Sequence, residues 1–164
     1  MVEIAMGCIT TALFYVHGPT LSFLKYLILI TGLAVAWVSD SGTRLIPNKL
    51  NLALFIGALP FIIMGLFHNP TVVLMGMAIG MAAPLTFELS GMVAGALTKN
   101  KDALPGGGDL LTLAVMGVYL GAGVLPAMLV VVVTSLVFIM ITGQKGIPMG
   151  FHFFLGTSVI SLLK

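Results

Sequence analysis

The chain carries five carboxylates, Glu3, Asp40, Glu88, Asp102 and Asp109, and three of them touch long apolar segments. An acid at the centre of a membrane-crossing helix costs about 2.5–3.5 kcal/mol. Asp40, Glu88 and Asp109 are therefore the first residues to test for chemistry. Glu3 is terminal, and Asp102 sits in a loop beside Lys101, where solvation explains it. Two carboxylates held close together resist ionising at once, so one keeps a proton while the other acts as a base. The base can take a proton from water while the acid polarises a peptide carbonyl, the division of labour of aspartic proteases. That chemistry calls for no covalent intermediate, cofactor or metal. The histidines, His17, His68 and His152, show no metal-ligand spacing, and the single Cys8 allows neither an intramolecular disulfide nor a thiolate zinc cluster. No Ser/His or Cys/His arrangement competes with the acids. His68 reads as a loop residue, and His152, in an apolar run, reads as a hydrogen-bonded packing residue.

The neighbours of the acids sharpen the reading. Asp40 opens the run Asp-Ser-Gly-Thr-Arg-Leu-Ile-Pro-Asn at 40–48, in which Ile46, Pro47 and Asn48 follow the charged turn. Pro47 prevents one helix from running smoothly into the next, and Asn48 suits the cap of a helix starting near Lys49. Asp109 follows Pro105, Gly106, Gly107 and Gly108. Three glycines weaken a helix, but they leave a backbone open to close approach, including by an extended peptide. The plainer alternatives are a boundary residue at Asp40 and a flexible turn at the glycines. Glu88 lies nine residues before Leu97, about 13 Å along a regular helix, with Pro84 able to kink that helix. Its structural reading is a hydrogen bond within the bundle. Its functional readings are tuning of the acid pair or contact with a charged substrate group.

The elements that must position these residues are membrane helices. Apolar residues make up 59 % of the 164 and charged ones 7 %, against about 25 % charged in a soluble domain. So few charges cannot cover a water-facing surface. The net charge of +2 is too small to suggest a nucleic-acid partner. Crossing the hydrocarbon core takes roughly 20 apolar residues. Six stretches qualify, at about 20–39, 50–67, 71–97, 104–120, 124–141 and 147–163. Lys25 lies near enough to the start of the first to snorkel outward. The sequence predicts an all-α, polytopic bundle of six core helices in one membrane-embedded unit, 20–164, preceded by an apolar segment, 1–19. Residues 4–16 of that segment suit either a short span or an interfacial helix, and Glu3 without a basic flank argues against a signal peptide.

Orientation follows from charge. Arg44, Lys49, Lys99, Lys101 and Lys145 fall in alternate connections, which should face the cytoplasm. Two crossings separate Asp40 from Asp109, so the chain returns to the same face and both acids belong near the cytoplasmic boundary. A fourth crossing beginning after Asp109 would measure only about 17 Å, short of the roughly 30 Å core. The glycine stretch should therefore enter the membrane, where non-helical backbone must be buried in protein or line a wet cavity.

The ordered set of Asp40 with Ile46-Pro47-Asn48, then Gly106-Gly107-Gly108-Asp109 about two helices later, resembles the type IV prepilin peptidases, members of the GxGD membrane aspartyl proteases. The run Gly146-Ile147-Pro148-Met149-Gly150 is similar to the Ile-Pro-x-Gly near the family's last span. The resemblance covers roughly 20–163. It implies an intramembrane aspartic endopeptidase of the inner (plasma) membrane that cleaves the leader of a prepilin or pseudopilin at the cytoplasmic face. Asp40 and Asp109 would be catalytic, with Gly106, Gly107 and Gly108 in the active-site loop, Pro148 and Gly150 as motif support, and no cofactor. Leu111 stands where family members often carry Lys, and His152 where a small residue or Pro is usual. With Cys8 alone and no Cys-x-x-Cys region, the chain resembles the short, peptidase-only form. The reading from another class is a non-enzymatic multi-span protein, a small transporter or pilus-assembly subunit, with Asp40 and Glu88 lining an ion path.

Overall fold

The computed structural model describes residues 1–43, 45–98, 107–142 and 149–163. Among them the chain forms α1 (Val2–His17), α2 (Leu21–Thr43), α3 (Asn48–His68), α4 (Pro70–Thr98), α5 (Gly107–Leu120), a 3-10 turn (Gly121–Gly123), α6 (Val124–Thr142) and α7 (Met149–Leu163), with no strand. This is the form lipid imposes, because a helix satisfies its backbone donors and acceptors within one segment. The protein is an all-α bundle of the integral membrane type, and α2 to α7 answer to the six expected crossings. Four helical segments are long and apolar enough to cross a bilayer: Leu21–Thr43, Asn48–His68, Pro70–Leu89 and Gly107–Thr142. The last would measure about 54 Å as a straight rod. It is not one, because Gly121 takes φ +56° and the turn there separates α5 from α6.

Packing gives the direction of each helix. Gly18, at φ +60°, folds α1 back on α2, so that Phe14 meets Phe23 edge-on and His17 faces Tyr26. Helices α3 and α5 run parallel: Asn51 reaches Gly108, and one end further on the Tyr119 hydroxyl donates to the Leu54 carbonyl at 2.8 Å. Helix α4 runs against α5, with Gly80 on Gly117 and Gly76 on Gly121, backbone to backbone. Helix α7 runs against α2. Gly150 lies on Ala36 and Trp37, and at the far end the Nε2–H of His17 donates to the Ser161 carbonyl at 2.7 Å. It also runs against α6, through Gly156 on Ala127 and His152 on Thr134. Helices α5 and α6 are therefore antiparallel. The C-terminal end of α2 and the N-terminal ends of α3, α5 and α7 meet at one end of the bundle.

The outside is apolar and the centre partly polar, the reverse of a soluble domain. Ile56, Ile63, Leu85, Leu89, Val133 and Leu136 face outward, towards lipid. Helix α7 is enclosed, burying His152, Thr157, Ser158 and Ser161 among Phe153, Phe154 and Ile160. At 15 residues, about 22 Å, it is short for a lipid-facing span, but its neighbours cover it. Helix α1, for which the sequence leaves two readings, packs along α2 and touches α7.

Candidate active site

Asp40 lies in the last turn of α2, three residues before Thr43. Only 5 % of it is exposed. Its Oδ2 accepts the backbone N–H of Gly150 at 2.8 Å. Helix N-termini present unpaired N–H groups and the positive end of the dipole, which suits an acid. The bond requires α7 to start close against α2. A Cβ on Gly150 would lie 2.8 Å from both the Ala36 carbonyl oxygen and the Trp37 Cα, so only glycine fits. Trp37 completes the seam by packing on Phe151 and Phe154. The turn beyond Asp40 is folded onto the helix end: the hydroxyls of Ser39 and Thr43 both reach the Leu45 carbonyl, at 3.0 and 3.3 Å.

Asp109 occupies the first turn of α5 and is partly buried. The residue before it, Gly108, rests on the connection leaving α2, where a Cβ would sit 2.7 Å from the Ile46 carbonyl oxygen. Ile46 itself is buried. The Gly108 carbonyl is held from two sides, by Asn51 Nδ2 at 3.2 Å and the Thr112 hydroxyl at 2.8 Å. The same hydroxyl lies 3.0 Å from Asn51 Oδ1. Asn51 and Thr112 are both buried, and buried polar groups of this kind fix a backbone because leaving either unpaired is costly. The first turn of α5 is thus fastened to α3 and seated on the connection six residues beyond Asp40.

A profile of the type IV leader peptidase family matches residues 27–162, a stretch containing both aspartates and all but the first of the seven helices' cores. The chain belongs to this family. It is a peptidase of the type IV leader class and an integral membrane protein. Curated proteins and solved structures gave no match. In this leader peptidase, several expectations meet their local structure. Gly107 and Gly108 are helical, opening α5, where the sequence suggested non-helical backbone. The first helical N–H groups bond to nothing within the helix in any case, so glycine costs less there than in an interior. The two glycines also differ. Gly107 is exposed with open space where a side chain would be, whereas Gly108 is packed on Ile46.

Asn48 is not a cap. Pro47 holds the N-cap position with extended ψ, 131°, and Asn48 is the first helical residue of α3. Glu88 is exposed between outward-facing Leu85 and Leu89, so an interior hydrogen bond is not its role. It lies about 27 Å along α4 from Pro70, which brings it towards the end of the bundle that holds Asp40. Leu111 is half-exposed one turn into α5. Gly106 and Pro148, with Arg44, Lys99, Lys101, Asp102 and Lys145, lie outside the described residues. Asn51 and Thr112 were missed by the sequence reading. Their one signal was polar side chains inside apolar helices, four residues from Pro47 and from Gly108.

Proposed function

We propose that this leader peptidase is an aspartic endopeptidase that uses Asp40 and Asp109 to hydrolyse the leader of a prepilin or pseudopilin at the cytoplasmic face of the inner membrane. The observation that carries the reading is the junction at one end of the bundle: Asp40 on the N-terminus of α7, and the turn bearing Asp109 seated on the connection that leaves α2. One carboxylate, ionised, takes a proton from water as the water oxygen bonds to the scissile carbonyl carbon. The other, protonated, gives its proton to the carbonyl oxygen. The gem-diol collapses as the first carboxyl passes the water's proton to the amide nitrogen and the second takes one back from a gem-diol hydroxyl, so that the C–N bond breaks and leaves a leader carboxyl and a new amine. The Lys and Arg positions support the cytoplasmic assignment. A transporter or assembly subunit has no comparable support, because Glu88 faces outward and away from any path through the bundle interior.

Asp40→Asn and Asp109→Asn are each expected to lower cleavage by about 10²–10⁴-fold, the usual worth of a general acid or base. Leader cleavage is followed by gel shift at equal levels of membrane-inserted protein. Full activity in either variant removes that residue from the mechanism.

A further inference from the structure

One buried polar group beside the Asp40 junction is His152. It is 1 % exposed and stands in α7 two residues after Gly150. Successive helical residues turn by about 100°, so His152 projects from the side of α7 away from the one that rests on α2. There its Nδ1 shares a hydrogen bond with Thr134 Oγ1 of α6, at 2.9 Å. The rings of Phe138 and Phe151 meet the imidazole edge-on. Its Nε2 is buried and finds no hydrogen-bond partner among the described residues.

A packing residue alone does not account for this. Phenylalanine would fill an aromatic niche without burying two ring nitrogens, one of them without a partner among the described residues, which is a costly arrangement. What histidine adds is a directional tie from α7 to α6 at the same turn that donates to Asp40. The first turn of α7 is then held on opposite sides, by Gly150 on α2 and by His152 on α6. A shift of that turn by a few tenths of an ångström changes the Gly150–Asp40 hydrogen bond directly.

We infer that His152 is a positioning residue for Asp40: through Thr134 it fixes the first turn of α7, and so the Gly150 N–H that orients the carboxylate. The inference rests on Asp40 being catalytic, so its test needs one readout that does not depend on cleavage. His152→Phe removes the tie while filling the niche, Thr134→Val removes it from the other side, and His152→Asn keeps a polar group able to reach Thr134. The first readout is the Gly150 amide in glycine-labelled protein, by NMR in detergent, with Asp40→Ala, which leaves no side-chain acceptor, marking the signal of the broken bond. The second is leader cleavage resolved into kcat and KM, with thermal stability measured on the same preparations.

His152→Phe and Thr134→Val should each move the Gly150 amide towards its position in Asp40→Ala. Each should lower kcat about tenfold with KM within twofold, and the double variant should lose no more than either single one. His152→Asn should recover most of the kcat. An unmoved Gly150 amide in a folded His152→Phe protein overturns the inference whatever the cleavage result. So does a loss of stability with kcat per folded molecule unchanged, which is the mark of packing alone. Failure of the catalytic reading itself would appear differently, as cleavage indifferent to Asp40→Asn.

Discussion

At the scale of single residues, three glycines do different work at one end of the bundle. Gly150 has backbone of α2 at 2.8 Å from where a Cβ would lie, and backbone cannot swing aside as a side-chain tip can. Gly150→Ala should therefore lower stability by about 1–3 kcal/mol, the usual cost of overpacking. It should also reduce cleavage more than tenfold by moving the N–H from Asp40. Thermal unfolding in detergent and cleavage on one preparation test both, and an unchanged protein would mean that α2 and α7 are less closely apposed than described. Gly107 and Gly108 form a natural contrast. Gly107→Val meets open space, so folding should hold. Cleavage should fall if the substrate backbone approaches there as an added strand does. Gly108→Val meets the Ile46 carbonyl and should lower the melting temperature. A Gly107→Val protein that cleaves at the wild-type rate excludes close approach at that residue.

At the scale of elements, the helices were legible and their partners were not. Apolar runs located α2 to α7, because a segment inside a bilayer must be largely apolar whatever its neighbours. The Gly121 break was equally plain from Gly121-Ala122-Gly123. The face of each helix that turns inward was not, since lipid and protein interior are both apolar and the sequence pattern hardly distinguishes them. That is why the sequence alone does not show that Asn51 and Thr112 face inward, or that Glu88 is exposed on the outer side of α4. Small residues mark such interfaces more reliably than apolar ones. The α4–α5 contact shows it, with the Gly80 and Gly117 backbones touching. Gly80→Leu should force these helices apart and destabilise the protein by about 1–3 kcal/mol or more. The check is thermal unfolding in detergent, with Gly7→Leu as the control, because Gly7 has nothing within 4 Å of a Cβ. Equal losses in the two variants would deny the interface any special tightness.

At the scale of the whole molecule, the parity of crossings is the firmest bridge from sequence to site. Two helices, α3 and α4, separate Asp40 from Asp109, and parallel α3 and α5 bring both acids to one end. With Cys8 replaced, cysteines at Ser41 and Asn100 should both resist an impermeant thiol reagent applied outside intact cells. A cysteine at Asn69, in the opposite connection, should be labelled. Labelling at only one of the first two positions would break the count. The position of α7 carries a different consequence, one of timing. It emerges from the ribosome after α1 to α6 and, at 15 residues, is short for a span of its own, so it should dock against helices already in place. Until it docks, Asp40 has no Gly150 amide to hold it. If the acids act as proposed, a chain still inserting should carry them unassembled, and the docking of α7 should complete the site.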